Sequence, residues 1–209
     1  MLRVLMLQLP VPNNPGANIP LAAGYLKAWA HERGLLERVS IEIMPRDIAD
    51  RAGDALLVRE IARRRPDVLG ISLYTWNSER SLLIAERARR QLPGMKIVVG
   101  GPEVQRNNEW VLRHPAVDIA VEGEGEQTFA EILERLAADD GRADNLPFAA
   151  LPSARDLIPL LPHTAAAPHP TALLEAAPPP IPGTIVRQDG EPLAAPARVS
   201  LSNLDVIPS

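Results

Sequence analysis

A chain of 209 residues with a net charge of −4 has mass for one complete domain and part of a second, and lacks the basic face that holds nucleic acid. It has no cysteine, which excludes disulfides, thiolate zinc sites, a cysteine nucleophile and an iron–sulfur cluster held by this chain. The apolar start at residues 1–9 is too short for a signal peptide or a membrane span, and nothing else approaches ~18 uninterrupted apolar residues, so a soluble, cytoplasmic protein is expected.

Residues 2–9 (LRVLMLQL) form a continuous apolar run, as expected for a strand buried on both faces. A loop rich in breakers follows, from Pro10 through Pro12 and Asn13 to Asn18. The spacing predicts a first helix over 19–33, with Leu21, Tyr25, Leu26 and Trp29 on one face and Gly34 as its stop. Residues 39–44 alternate like a second strand. A second helix is expected over 55–65, capped by Asp54 and ended by Pro66.

Residues 67–73 read as a third strand leading to Tyr74-Thr75-Trp76-Asn77, after which Ser78 opens a helix over 79–92. The turn Pro93-Gly94 leads to a fourth strand at 96–99, a helix over 104–113, a fifth strand at 117–121 and a helix over 126–138. Strands alternating with helices of this length predict an α/β fold with a five-stranded, parallel, doubly wound sheet.

At Asp139 the composition changes: thirteen of the 22 prolines lie from there to Ser209. Residues 139–182 read as a Pro/Ala-rich, largely disordered linker with polyproline II character. Residues 183–209 carry a loose hairpin, 183–186 and 192–199 around Asp189-Gly190, and then stop abruptly at 204–209 as if cut. The expected organisation is thus a domain at 1–138, a linker at 139–182 and a short hairpin segment at 183–209.

Two loops stand out because each follows a buried strand with closely spaced glycines. They are Gly100-Gly101-Pro102-Glu103 and Glu122-Gly123-Glu124-Gly125-Glu126. Such glycines let backbone turn sharply and approach a ligand closely, and the carboxyl ends of parallel strands are where open α/β sheets bind ligands. A dinucleotide fingerprint should follow the first strand as G-x-G-x-x-G, yet that loop holds only Gly16, and Glu122, Glu124 and Glu126 would repel a pyrophosphate. The acidic cluster and phosphorylatable aspartate of a response regulator are also missing from the strand ends. His31, His114, His163 and His169 are scattered and read as surface residues, so no side-chain metal site is expected. The three glutamates suit either acid–base work or the positive N-terminus of the helix at 126, and spacing alone leaves both open.

Taken together, Ile71-Ser72-Leu73-Tyr74-Thr75-Trp76-Asn77, Val98-Val99-Gly100-Gly101-Pro102-Glu103 and Val117-Asp118 followed by Glu122 to Phe129 resemble one family. It is the N-terminal cobalamin (B12)-binding domain of B12-dependent radical SAM proteins, the group of the magnesium-protoporphyrin ester cyclase and many methylases. The tail resembles it too, in the G-x-x-x-R-x-x-G piece from Gly183 to Gly190 and the Leu-Asp-x-Ile-Pro phrase that in the family leads toward the catalytic barrel. The resemblance implies a flavodoxin-like sheet of order 2-1-3-4-5 that binds cobalamin through the three rim segments. Gly100 and Gly101 would allow the flat corrin to approach, Ser72, Thr75 and Asn77 would supply hydrogen bonds, and Tyr74 and Trp76 flat apolar surface. Leu73, Pro102, Glu103, Glu122, Gly123, Glu124 and Gly125 would complete the wall, with Pro12 and Asn13 of the first loop.

Two departures shape the expectation. The D-x-H-x-x-G motif of B12-dependent mutases is absent from the first loop, and His31-Glu32-Arg33-Gly34 lies at a helix end, so base-off cobalamin without a protein histidine on cobalt is implied. The C-x-x-x-C-x-x-C motif is absent as well. S-adenosylmethionine and a 4Fe-4S cluster would then belong to a radical SAM catalytic domain outside this sequence, acting in cis or in trans, to which this module presents its cofactor as methyl carrier or radical partner. The competing expectation is a B12-fold interaction module that has lost its cofactor.

Overall fold

Side chains on a strand alternate between two faces, so a sheet covered on both sides needs apolar residues at every position. The chain folds that way. In the computed structural model, which describes residues 1–14, 18–138, 179–188 and 190–200, five strands run parallel in the order β2-β1-β3-β4-β5. They are β1 (Leu2–Leu7), β2 (Val39–Ile43), β3 (Val68–Ser72), β4 (Lys96–Gly100) and β5 (Ile119–Val121). The helices are α1 (Leu21–Glu32), α2 (Arg46–Arg51), α3 (Asp54–Arg64), α4 (Ser78–Gln91), α5 (Glu109–Leu112) and α6 (Glu126–Ala138). β1 shows the logic: Leu5 and Leu7 join one core with Leu57 and Ile61 of α3 and Leu82 of α4, while Val4 and Met6 join a second with Ala23 and Ala30 of α1 and Phe129 of α6.

The expected flavodoxin-like order is present, and the sheet is larger than expected. β6 (Thr184–Gln188) and β7 (Glu191–Ala194) form the hairpin around Gly190, and β6 pairs antiparallel with β5, Val121 opposite Thr184. The hairpin therefore extends the sheet to seven strands rather than forming a segment of its own. Pairing across so long a stretch of chain has no local signal. Residues 139–178, Asp189 and the phrase at 204–209 lie outside the described residues.

Three local expectations need correction. In α1 the buried positions are Ala23 and Ala30, Leu26 and Trp29 are half-buried, and Leu21 and Tyr25 face solvent, because the small residues let the helix lie close on the sheet. Asp54 does not cap α3: it is the first helical residue after Gly53, and its carboxylate accepts from Arg80 Nε at 2.8 Å. α5 spans only Glu109–Leu112, because Asn108 caps it, its side chain accepting from Val111 N, and turns occupy the residues before it. α2 was missed, being barely more than one turn after Pro45.

Candidate functional site

On the α1/α6 face, the strands present Met6, Gly70, Ser72, Val98, Gly100 and Val121 toward the carboxyl end of the sheet. On this face Gly70 of β3 stands beside Met6 of β1, and Gly100 of β4 beside Val121 of β5. A cavity of about 210 Å³ lies over Ser72 and Gly100 and opens between the first turns of α1 and α6, beside Leu26 and Phe129. The far ends of these helices are tied by an Arg33–Glu134 ion pair at 3.0 Å. At Gly70 the packing is close: an added Cβ would stand 2.6 Å from Met6 Sδ and 3.8 Å from Phe129. Glycine inside a strand signals the close approach of a ligand or another chain segment, and that signal in Gly70 was passed over by sequence reasoning. Met6, Leu26 and Phe129 were missed because they carry ordinary core chemistry.

Beyond the last ladder bonds, the loops after β3 and β4 are tied to each other. Leu73 N donates to Gly100 O at 2.7 Å and Glu103 N to Leu73 O at 3.3 Å. Gly101 adopts φ +104°, and a Cβ there would lie 2.6 Å from Leu73 O, so the approach of these loops needs glycine. Thr75 Oγ1 donates to Glu103 Oε1 at 2.7 Å across the same junction.

Two residues assigned to the site serve the scaffold. Leu73 has 0 % exposure and packs in the α3/α4 core. Asn77 is 2 % exposed, and its amide is spent on backbone: Oδ1 accepts from Tyr74 N at 2.9 Å, and Nδ2 donates to Leu9 O at 3.1 Å and Ser72 O at 3.3 Å. It locks the ends of β1 and β3 together, so it has no donor left for a ligand. Ser72 differs: its hydroxyl has no hydrogen bond among the described residues, and it lines the cavity.

Tyr74 and Trp76 stack with centroids 4.6 Å apart and planes at 12°. Tyr74 lines the apolar cavity, whereas Trp76, 46 % exposed, lines a second depression with Leu9, Pro12, Asn13, Asn77 and Arg80. Gly123, Glu124 and Gly125 line the cavity mouth. Glu122 turns outward to Arg106 at 2.7 Å, and Pro102 and Glu103 belong to the loop outside the cavity. Of the breaker loop, residues 15–17 are outside the described residues, and Asn13 sits at φ 64° in a tight turn.

Among the described residues no group of His, Asp or Glu could hold a metal ion, and no helix is long and apolar enough to cross a membrane. Neither described histidine stands at the rim. His31 is exposed at the last turn of α1, and His114 lies before β5 at the opposite end of the sheet, its Nδ1 accepting from Ala116 N at 3.2 Å. Burial, with Arg187 adding to it against Glu86, holds the His114 imidazole below its usual range. His163 and His169 are outside the described residues.

The model of the B12 binding domain matches residues 15–133, more than half the chain. The chain belongs to the B12-binding domain family. Among curated relatives, the 2-(S-pantetheinyl)-carbapenam-3-carboxylate methyltransferase of Streptantibioticus cattleyicolor is 38% identical over 123 residues, 57% of this chain and 17% of that protein. The cobalamin-dependent radical SAM methyltransferase TokK of Streptomyces tokunonensis is 33% identical over 124 residues, 58% of this chain and 17% of that protein. The B12-binding chain thus spans about a sixth of these relatives. The solved structure of OxsB, a cobalamin-dependent S-adenosylmethionine radical enzyme with aqua-cobalamin and S-adenosylmethionine bound, matches with TM-score 0.63 at 14% identity, over 96% of this chain and 23% of that one. TsrM from Kitasatospora setae, a radical S-adenosylmethionine methyltransferase with cobalamin and a [4Fe-4S] cluster bound, matches with TM-score 0.61 at 15% identity, over 95% and 32%. At such identities the likeness shows the shared fold.

The B12-binding fold and the site's own chemistry agree. A cavity of about 210 Å³ is smaller than the roughly 300–1,000 Å³ of a typical ligand pocket, so it suits one part of a large ligand whose remainder rests on the rim. Its walls are mostly apolar, with the Ser72 hydroxyl on the floor and Tyr74, Glu124 and Glu126 toward the mouth, which suits a flat aromatic group.

Proposed function

We propose that this domain holds cobalamin with its base detached from cobalt and presents it to a radical SAM catalytic domain, in cis or in trans. The observation that supports it is the mostly apolar cavity over Ser72 and Gly100 between α1 and α6. Ser72, Met6, Leu26 and Phe129 would hold the detached base, and Gly101, Tyr74, Gly123 and Glu124 at the rim would stand against the corrin. Tyr74 and Trp76 offer a flat apolar surface to it, and Thr75 and Glu103 hold the rim loops in place. Bound cobalamin supplies a cobalt centre able to carry a methyl group or take part in a radical step. The chain has no cysteine for an iron–sulfur cluster, so S-adenosylmethionine cleavage falls to the partner domain.

Titration of the full chain with hydroxocobalamin, followed by absorption, tests this. Micromolar or tighter binding with a base-off spectrum is expected, unchanged in a His31→Ala variant. Failure to bind at micromolar concentrations would overturn the reading in favour of an interaction module without cofactor, and loss of a ligand band in His31→Ala would overturn the absence of a histidine ligand.

A further inference from the structure

Arg198 fastens the segment after β7 to α6. Its Nε donates to Thr128 Oγ1 at 2.7 Å and to Pro182 O at 3.3 Å, and its Nη2 pairs with the Glu131 carboxylate. The arginine side chain is 14 % exposed and Thr128 has no exposure, so this contact is drier than an ordinary surface ion pair. The next residue, Val199, is 89 % exposed. Gly183, at φ +80°, makes the room: an added Cβ would stand 3.1 Å from Thr128 Oγ1 and 3.3 Å from Arg198 Cβ.

The first two turns of α6 thus stand between two features. Glu126 and Phe129 line the cavity, while Thr128 and Glu131 hold Arg198. The loop before the helix restrains its start little, since Gly123 has φ +79° and nothing lies within 4 Å of an added Cβ. A ligand in the cavity meets Glu126 and Phe129 together only while these turns are seated against the sheet. Arg198 reaches Thr128 and Glu131 together only in the same arrangement. Two sets of contacts that need one arrangement reinforce each other.

We propose that Arg198 is a positioning residue that couples occupancy of the cavity to the course of residues 195–198, an inference that rests on the cobalamin reading above. The ligand seats the start of α6, and the seated helix clamps the segment. In the empty domain the arginine leaves its seat more often. Linkage makes the effect mutual, so a weakened clamp also weakens binding.

Trypsin reads the clamp directly. Cleavage of the Arg198–Val199 bond needs the guanidinium free to enter the protease, and its rate follows the released population. The full chain is digested with and without saturating hydroxocobalamin, and fragments are followed by mass spectrometry. The bond after Arg38, an exposed residue at the opposite end of the sheet, serves as the reference for general stabilisation by a ligand. Hydroxocobalamin is expected to slow cleavage at Arg198 about fivefold more than at Arg38. Glu131→Gln keeps the side-chain size and removes the charge. It should speed cleavage at Arg198 in the empty domain, abolish the extra slowing and weaken hydroxocobalamin binding about fivefold, with far-UV circular dichroism showing that the variant is folded. Equal slowing at the two bonds, or unchanged affinity in Glu131→Gln, would overturn the coupling and leave the cobalamin reading intact. Absence of hydroxocobalamin binding to the unmodified chain would overturn both.

Discussion

Arg106 Nε donates to Glu122 Oε2 at 2.7 Å, and Nη2 of the same guanidinium donates to Ala195 O at 2.9 Å. One side chain therefore joins the rim loop after β5 to the segment leaving β7. Because β6 is antiparallel to β5 and β7 to β6, Gly183 and Ala195 both lie at the end of the sheet where the parallel strands finish, and there Glu122 N also donates to Gly183 O at 2.9 Å. The hairpin returns the chain to the rim it left.

Replacing Arg106 by alanine should loosen this junction without unfolding the domain. The exposed ion pair is worth less than about 1 kcal/mol, so global stability should hardly change. Local opening should become easier, and the amide of Ala195, which donates to Thr184 O at 2.8 Å, should exchange with solvent about tenfold faster. Hydrogen exchange by mass spectrometry measures this; unchanged exchange in the hairpin would show that the strand pairing alone holds it.

Asn77→Ala removes one acceptor and two donor contacts at once, leaving Leu9 O and Tyr74 N short of a partner in a buried setting. A loss of about 1–3 kcal/mol in denaturant unfolding is expected, together with weaker cobalamin binding because the ends of β1 and β3 separate. Asn77→Asp keeps the acceptor and loses the donors, so its cobalamin affinity should also fall.

Gly101 and Gly123 both have positive φ, but only the first is crowded. Alanine at 101 must place Cβ against the Leu73 carbonyl, whereas alanine at 123 meets nothing within 4 Å. Gly101→Ala should therefore cost about 1–3 kcal/mol or displace the 73–77 loop, and Gly123→Ala about 1 kcal/mol or less. Thermal unfolding of the two variants side by side separates conformational strain from collision.

Acidification should weaken the fold through His114. Burial lowers its pKa, so the folded state favours neutral imidazole, whose Nδ1 accepts from Ala116 N. A group whose folded pKa lies below the unfolded one contributes stability above the unfolded value, about 6.5 for histidine, and loses it as pH falls through the depressed folded value. Stability should drop from pH about 7 toward 5, and His114→Gln should flatten that part of the profile in urea unfolding. Asp67 acts in a lower range. Burial raises its pKa, but the hydrogen bonds from Arg3 outweigh this and leave it lowered, so its share is lost only as pH falls through that depressed carboxylate value.

Much of the fold was legible because it is repetitive and local. Strands with apolar residues at successive positions, separated by helix-length stretches that end in breakers, specify β-α alternation, and the rim segments at 72–77, 100–103 and 122–125 follow from the strand ends. The individual roles were less legible. Asn77 has the chemistry of a ligand donor, yet its neighbours Leu9, Ser72 and Tyr74 claim its whole amide. Leu73 is adjacent to the site in sequence, but the period of the strand turns it to the opposite core. Gly70 looked like an ordinary strand residue, and only its position between Met6 and Val98 shows that its missing side chain makes room for the Met6 thioether.

By itself, then, the sequence determined the alternating α/β plan, the parallel core of the sheet and the glycine-bearing loops at the carboxyl ends of its strands, because these depend on periodicity and on turn chemistry within a few residues. The tertiary structure decided the rest. Docking of β6 and β7 onto β5, the rotation of α1 onto Ala23 and Ala30, and a cavity shared by four strands and two helices all depend on contacts between residues far apart in the chain, and such contacts exist only once the sheet has assembled.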